Sequence, residues 1–484
     1  MRFNWNDVLA LQEILREMNS RKHLLVDERI VEDVWNLRRE VMRPAKCMAN
    51  PLVVGDRPWE DKSVGGSYVM FDAEEKLFKM WYNVFRYVGW RNEEENWYTY
   101  SICYAESRNG FNWDKPELGI VEFEGSSKNN LIMQGEWWAT VGTVLKENNE
   151  ADPAKRYKML YTDVFDMPTR EKVVRDGGIE GEWPGRSGIC MAYSPDGINW
   201  KPSEHNPVIE GESDTTNCVF WDDDVGKYLF YMRPRVYAGH WKRRIARAES
   251  PDLINWSDSE MVLVPDELDP VELYGMPVFK YEGYYFGLLQ MYHSSSTATI
   301  EIQLAFSRDG KRWERLPTRD IFLDLGAQHG QGSDFDSGMV IAGRPVLVGD
   351  ELWFYYTGYK SVHTESSNTS AIGLAVAKID RLIGRATPPG ECGLLLTRPI
   401  AWNGNTLEIN ASSANGSIQV EVLSVEGEVL EDYEREASVI FSGDSVRHKM
   451  LWKNDRDLDA FRGQRIRLKF YLSNAVLYSF RANN

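Results

Sequence analysis

Cysteine, basic charge and long apolar runs are all scarce in this sequence. The five cysteines lie far apart with no C-x-x-C pair, which argues against a disulfide framework or a cysteine zinc site. Acidic residues outnumber basic ones by 73 to 56, and the net charge of −17 disfavours nucleic-acid and anionic-membrane partners. No stretch approaches the ~18 apolar residues of a membrane span. The first residues also lack a signal-peptide pattern, so we expect a cytoplasmic protein.

The first forty residues carry a pattern that differs from the rest. Apolar residues recur at three-to-four spacing over residues 7–40, which predicts a helical segment within residues 1–44. The apolar positions are Val8, Leu9, Leu11, Ile14, Leu15, Ile30, Val31, Val34 and Leu37. After Pro44 the sequence changes to short alternating strands separated by Gly, Asn and Asp turns.

One phrase, Ala-x-Ser-x-(Asp/Asn)-(Gly/Leu)-x-x-Trp, then occurs four times. The copies cover residues 105–113, 192–200, 248–256 and 305–313. The phrase is typical of a strand end, a tight turn, and a tryptophan that packs between sheets. A fifth copy, residues 373–380, keeps the strand and loses the tryptophan.

The repeats predict an all-β protein built around a five-bladed β-propeller. Each phrase follows two apolar strands, and five four-stranded units are typical of a propeller over residues 45–388. We expect Trp113, Trp200, Trp256 and Trp313 at equivalent places between blades. A shorter alternating set over residues 389–484 predicts a separate C-terminal β-sandwich.

The first strand of each propeller blade lines the axis, so its polar residues face a shared pocket. Carboxylates are unusual in packed strands and indicate function there. They open the first strands as Glu60 and Asp61 in blade 1, Asp214 in blade 3, Glu272 in blade 4, and Asp334 and Asp336 in blade 5; blade 2 offers only Glu136. Arg233, His293 and His363 follow second strands, near the rim, and are candidate ligand-binding residues.

The repeat phrase, the five blades and the trailing sandwich resemble glycoside hydrolase families 32, 43 and 68. Family 32 carries its acidic residues in three motifs, none of which is literally present. Aligning the first strands places Ser63, Thr216 and Tyr274 at the family's acidic positions. In each case an acidic residue, Asp61, Asp214 or Glu272, stands two residues earlier, on the same strand face. The chain is also similar to family-32-like proteins that share Pro58-Trp59-Glu60, Phe335–Gly338 and Ser479-Phe480-Arg481, and on that resemblance Glu60 rivals Asp61.

The resemblance implies a glycosidase that acts on an oligosaccharide or glycoside, furanosidic sugars included, through paired carboxylates. Glu272 is the expected general acid, with its pKa raised by its surroundings, and Asp214 the expected stabiliser of the cationic sugar. Glu60 or Asp61 is the expected nucleophile or base, and Asp336 completes the acidic set. The expected substrate-binding residues are Trp59, Arg233, His293, Asp334 and His363.

Two alternatives remain open from the sequence. A glycoside phosphorylase of the mannoside type would replace water by phosphate, which Arg243 and Arg244 are placed to hold. A non-catalytic sugar-binding propeller would need no convergent carboxylates. No cofactor, metal cluster, phosphate loop or Ser-His-Asp nucleophile is indicated.

Overall fold

The computed structural model describes residues 22–61, 63–92, 95–134, 139–165, 186–210, 213, 215–234, 243–270, 272–327, 334–365 and 369–483. Strands dominate this part of the chain, and its only helical elements are single 3₁₀ turns. These turns are Pro58–Glu60, Pro153–Lys155, Arg435–Ala437, Lys453–Asp455 and Asp459–Phe461. Within the same ranges, no helix is long and apolar enough to span a membrane.

The N-terminal segment forms strands where the sequence predicted a helix, so that prediction is wrong for residues 22–41. The strands are β1 (Lys22–Leu24), β2 (Val31–Trp35), β3 (Arg38–Val41) and β4 (Ala45–Lys46). The pairing of β2 shifts register between Val31 and Asp33, as at a β-bulge. The extra residue brings Val31 and Val34 against one core, which imitates the three-residue spacing of a helix. Residues 7–21 of the predicted helix lie outside the described residues.

Three antiparallel sheets follow along the chain as blades 1 to 3. Blade 1 contains β5 (Val64–Asp72), β6 (Leu77–Asn92), β7 (Glu95–Ser107) and β8 (Leu131–Gln134). Blade 2 contains β9 (Thr140–Lys146), β10 (Tyr157–Phe165), β11 (Arg186–Ser194), β12 (Lys201–Pro202) and β13 (Ile209–Glu210). Blade 3 contains β14 (Cys218–Asp222), β15 (Lys227–Met232), β16 (Ile245–Ser250) and β17 (Glu260–Leu263).

Blades 4 and 5 complete the ring. Blade 4 contains β18 (Glu272–Gly275), β19 (Val278–Tyr281), β20 (Tyr284–Tyr292), β21 (Ile300–Ser307), β22 (Glu314–Arg315) and β23 (Ile321–Leu323). Blade 5 contains β24 (Met339–Ala342), β25 (Val346–Val348), β26 (Glu351–Tyr359) and β27 (Ser370–Lys378), and its outer strand is β4. The first strand is interrupted in both blades, as β18 and β19 in blade 4 and as β24 and β25 in blade 5, so β20 and β26 are the second strands. Blade 5 meets blade 1 through a bridge between Ser63 and Ser370. The chain therefore folds as the five-bladed propeller that the repeats predicted.

The four tryptophans of the repeat phrase occupy equivalent places, as predicted. Each follows the third strand of its blade, after a turn in which an Asp or Asn oxygen accepts two backbone N–H groups. Trp113 of blade 1 packs on Tyr355 of blade 5, and Trp313 of blade 4 packs on Tyr231 of blade 3. Trp200 and Trp256 lie in apolar clusters that also join neighbouring blades.

One position of the second strand is polar and buried in four blades, which the sequence analysis did not foresee. Its residues are Asn83, Thr162, Gln290 and Thr357. Each is hydrogen-bonded to a group of an adjacent blade. The pairs are Asn83 with Val141 N at 2.7 Å, Thr162 with Asn217 Nδ2 at 3.2 Å, Gln290 with Thr216 Oγ1 at 3.2 Å, and Thr357 with Gly66 N at 2.8 Å. Buried polar groups need such partners, and here the partners tie blade to blade.

Two first strands end in a buried aspartate that binds the next blade. Asp72 accepts from Lys146 Nζ at 2.7 and 2.8 Å and from the Tyr157 hydroxyl at 2.6 Å. Asp222 accepts from Lys280 Nζ at 3.0 Å and the Tyr285 hydroxyl at 2.5 Å. Burial raises the pKa of Asp72, but the hydrogen bonds from lysine and tyrosine outweigh it and hold this pKa below its usual value. We call these groups the interblade aspartates.

The sandwich uses both ends of the described chain. Its C-terminal strands are β28 (Ile383–Ala386), β29 (Cys392–Thr397), β30 (Ile400–Ala401), β31 (Thr406–Ser412), β32 (Ser417–Leu423), β33 (Asp444–Met450), β34 (Arg465–Ser473) and β35 (Val476–Asn483). One sheet has the order β3-β28-β35-β31-β33 with β1 beside β35, and the other the order β2-β29-β34-β30 with β32 beside β34. A shared core that includes Trp402, Trp452 and Phe470 lies between them. The expected boundary at 388/389 falls after β28, which already belongs to the sandwich.

Candidate functional site

Blade 4 begins with Glu272, the first residue of β18, which pairs with Tyr292 of β20. The Glu272 side chain is 14% exposed, and Arg243 Nη1 donates to its Oε2 at 2.6 Å. The backbone holds Arg243 there, because its carbonyl accepts from Leu273 N at 3.0 Å. A partly exposed carboxylate is thus fixed beside a guanidinium.

Arg243 also lies over the Tyr274 and Tyr292 rings, and a second arginine, Arg233, lies over Tyr274. The Arg233 and Arg243 guanidinium groups lie 4.9 and 5.3 Å from the centre of the Tyr274 ring. Arg233 Nη2 donates to the Tyr274 carbonyl at 2.8 Å, and His363 Nε2 lies 3.3 Å from the Tyr274 hydroxyl. We call this group the blade-4 cluster; its members are Arg233, Arg243, Glu272, Tyr274, Tyr292 and His363. It brings three of the predicted site residues together: Arg233, Glu272 and His363.

The charge state of Glu272 differs from the expectation. Burial raises the pKa of Glu272, but the hydrogen bond and positive charge of Arg243 outweigh it, and the net pKa lies below its usual value. The predicted raised pKa is therefore wrong. An ionised carboxylate at neutral pH suits a nucleophile, a base or a stabiliser of positive charge better than a proton donor.

Removing the guanidinium should shift the pH dependence of any activity that needs ionised Glu272. In Arg243→Leu the pKa of Glu272 is expected to rise, because burial then acts without its opposing charge. Activity that requires the carboxylate is lost as pH falls through this pKa, so the acidic limb of the kcat/KM profile should move to higher pH. The control is Arg312→Leu at an exposed position. An unchanged acidic limb in Arg243→Leu would exclude the pairing as its cause.

His293 lies outside the blade-4 cluster in a pair of its own. Its Nε2 contacts Glu301 Oε1 of β21, and this hydrogen bond raises the His293 pKa above its usual value. The His293 carbonyl accepts from Ala298 N at 3.0 Å, and the Ala298 carbonyl accepts from His363 N at 2.9 Å. His293 therefore shapes the loop that carries His363 against Tyr274.

Glu60 is not open to solvent. It is 0% exposed, and its carboxylate accepts from the Tyr82 hydroxyl at 2.6 Å, Lys115 Nζ at 2.8 Å, and the Asp56 and Arg57 backbone N–H groups at 2.9 and 3.1 Å. With four donors around it, the carboxylate has no exposed surface for a substrate. The expectation that Glu60 faces an open pocket is therefore corrected.

Asp336 repeats that arrangement in blade 5. It is 2% exposed and accepts from Lys46 Nζ at 2.6 Å and from the Tyr356 hydroxyl at 2.8 Å. Tyr82 and Tyr356 occupy the same second-strand position, and the amides of Asn130 and Asn50 donate to their hydroxyls at 2.7 and 3.2 Å. A carboxylate, tyrosine, lysine and asparagine thus recur together in two blades. Such repetition favours a structural role, and we call these two sets the blade locks.

The other predicted residues are placed separately. Asp61 is exposed and has a left-handed backbone, and Asp334 Oδ2 accepts from Ala327 N at 2.8 Å. The Trp59 indole donates to Asn130 Oδ1 at 2.8 Å and packs near Phe123, within blade 1. Asp214 and Glu136 lie outside the described residues.

The site residues predicted from the sequence include neither of the two tyrosines of the blade-4 cluster, although Tyr274 was aligned with an acidic position of family 32. Tyr274 stands two residues after Glu272, and a step of two keeps a strand residue on the same face, so the signal for it was present. Tyr292 pairs with Glu272 across strands, which no local pattern reveals.

No group of three or more His, Cys, Asp or Glu residues suited to a metal occurs within the described ranges.

Solved structures of glycoside-processing proteins resemble this chain. A β-1,2-mannobiose phosphorylase from Listeria innocua is 14% identical, with 70% of this chain and 99% of that chain covered and a TM-score of 0.47. A family 32 β-fructofuranosidase from Bombyx mori is 13% identical, with 90% and 94% covered and a TM-score of 0.43. A family 62 α-L-arabinofuranosidase from Coprinopsis cinerea is 10% identical, with 69% and 97% covered and a TM-score of 0.43. Glycoside hydrolases, which the sequence was predicted to resemble, are therefore among the solved structures similar to this chain.

No protein-family model matches the chain, and no curated protein matches it in sequence.

Proposed function

We propose that the chain is an enzyme that cleaves glycosidic bonds, with Glu272 as a carboxylate that acts on the sugar. The observation that carries this proposal is the blade-4 cluster, in which Arg243 keeps a partly exposed carboxylate ionised among aromatic rings. Tyrosine rings suit the apolar faces of a sugar, while arginine and histidine suit its hydroxyl groups.

Cleavage needs two carboxyl groups, one of which supplies a proton to the leaving oxygen. Because Glu272 is held ionised, we assign it the role of nucleophile, base or stabiliser of the cationic sugar. Its proposed partners are Asp61, which stands just before β5, and Asp214, which the sequence predicts to open the first strand of blade 3. Glu60 and Asp336 belong to the blade locks, so we assign them a structural role and not a catalytic one. We include furanosides among the proposed substrates.

A second candidate, phosphorolysis, is favoured by the two guanidinium groups that lie over Tyr274. Arg243 is paired with Glu272 and Arg233 lies over the same tyrosine ring, so both could hold an inorganic phosphate that replaces water as the attacking group. Hydrolysis and phosphorolysis use the same cluster and differ in their co-substrate.

An activity screen tests both candidates. The purified protein is incubated with aryl furanosides, aryl pyranosides and neutral oligosaccharides, with and without inorganic phosphate, and products are followed by NMR. Free sugar formed without phosphate supports hydrolysis, and its first anomer reports the stereochemistry. A sugar 1-phosphate formed only with phosphate supports phosphorolysis. Binding without turnover of any substrate would contradict the enzymatic proposal and favour a sugar-binding propeller.

A further inference from the structure

A cavity of about 370 Å³ lies where the first strands of blades 1, 2 and 3 end. Its lining includes Tyr68, Phe71, Lys146, Glu147, Trp221 and Tyr228. We call it the strand-end cavity. The blade-4 cluster surrounds the beginning of a first strand, so the two places lie at opposite ends of the propeller. A nine-residue strand such as β5 separates these ends by roughly 25–30 Å.

Two aromatic side chains at the mouth of this cavity are exposed in a way that core packing does not explain. Phe71 is 42% exposed and Trp221 is 45% exposed. They occupy equivalent places, since each directly precedes an interblade aspartate. Each ring is supported by a ring of the next strand, Phe78 at 4.8 Å and Tyr228 at 4.9 Å. The two blades therefore present supported aromatic surfaces on either side of blade 2.

Polar groups between these rings are fixed in place. Lys146 Nζ donates to both oxygens of Asp72 and to Glu74 Oε2 at 3.0 Å, and Glu147 contacts Lys158 and the Tyr228 hydroxyl. Asn148 adds an amide to the lining. Groups held by such contacts need little further ordering when they bind a ligand.

The charge of the lining narrows the class of ligand. Each carboxylate of the lining is paired with a cation: Asp72 with Lys146 and Lys79, Glu74 with Arg156, and Glu147 with Lys158. Because these cations already have carboxylate partners, the site disfavours phosphates and acidic sugars as ligands, in keeping with the chain's net charge of −17. The volume falls within the ~300–1,000 Å³ of small-molecule sites, and aromatic faces with interleaved hydrogen-bonding groups suit a neutral polyol ring.

We propose that the strand-end cavity is a second saccharide site, which binds one end of a neutral oligosaccharide between Phe71 and Trp221. The ring faces stack on the apolar faces of the sugar. Glu147 and Asn148 pair with its hydroxyl groups, while Lys146, whose three donors are already used, holds Asp72 and Glu74 in place. Chemistry at Glu272 is not required for this binding, so the site can hold a carbohydrate chain independently of its cleavage.

The test measures binding of maltotriose, cellotriose, mannotriose and 1-kestose by saturation-transfer NMR and titration calorimetry. Wild-type protein is compared with Phe71→Ala, Trp221→Ala and the control Trp35→Ala, whose ring is 60% exposed on the sandwich. We expect at least one trisaccharide to bind, with affinity at least tenfold lower in the first two variants and unchanged in the control. Phe71→Leu and Trp221→Leu keep apolar bulk without a ring and should also weaken binding.

Several results would overturn the proposal. These are no binding of any trisaccharide, binding unaffected by both ring removals, or tighter binding of an acidic trisaccharide. The outcome is separable from the proposed function, because Glu272→Gln should keep this binding. Phe71→Ala and Trp221→Ala should in turn keep turnover of a small aryl glycoside.

Discussion

Glu272→Gln is expected to lower kcat/KM for glycosides by ~10²–10⁴-fold, because it removes the charge held beside the sugar while keeping the side chain's size. The loss should appear in kcat more than in KM, since the charge acts on the transition state. Nitrophenyl glycosides, whose leaving oxygen needs little protonation, should suffer as much as unactivated substrates. Steady-state kinetics on both substrate types measure the effect. If kcat/KM for the nitrophenyl substrate fell much less than for unactivated substrates, Glu272 would be the general acid after all.

Two further variants make this result specific. Glu267→Gln changes an exposed glutamate just before the cluster and should leave the kinetics unchanged. Glu60→Gln alters a blade lock, so we expect lower stability but near-normal turnover of the folded fraction. If Glu60→Gln lost turnover as completely as Glu272→Gln without any loss of stability, Glu60 would be part of the catalytic machinery after all.

Asp72→Asn is expected to lower the free energy of unfolding by about 3–5 kcal/mol, the usual cost of breaking a buried ion pair from one side. The variant removes the buried negative charge from Lys146 and Lys79, which keep only the half-exposed carboxylates of Glu74 and Glu75. Urea unfolding at neutral pH measures the change, and Asp258→Asn at an exposed site is the control. Unaltered stability would mean that the interblade aspartate does not tie blades 1 and 2.

The ion pair between Asp72 and Lys146 also predicts how the free energy of unfolding depends on pH. The pKa of Asp72 is lowered on folding, so its stabilisation is complete above the unfolded aspartate value of about 3.9 and is lost as pH falls through the folded pKa. Wild-type stability should therefore fall in acid by more than that of Asp72→Asn. The two unfolding midpoints should approach each other at low pH.

The propeller could be predicted because its information is local and repeated. The turn phrase sets a strand end, an Asx turn and an interblade tryptophan within nine residues, and four copies reveal the period. The N-terminal strands could not be predicted in the same way. A bulge in β2 imitated helical spacing, and the partners of β1 and β2 lie some four hundred residues away, in β35 and β29.

The candidate site was only partly predictable. Glu272 and its strand face followed from pattern, but its pKa depends on Arg243, which a different blade brings beside it. Glu60 and Asp336 show the opposite limit. In the sequence, an acidic residue before a first strand looks the same whether its role is structural or functional. The fold shows the difference, because Glu60 and Asp336 are buried against a tyrosine and a lysine.

The pairing of β4 with β27 has a consequence for synthesis of the chain. Lys46 reaches its partner Ala375 only after all five blades have left the ribosome, and Lys22–Leu24 must wait for Val476–Asn483. At ~5–20 residues per second this delay is roughly 20–90 seconds, during which the first four strands present open edges. Until then, the backbone groups of these strand edges lack the partners that they have in the folded protein.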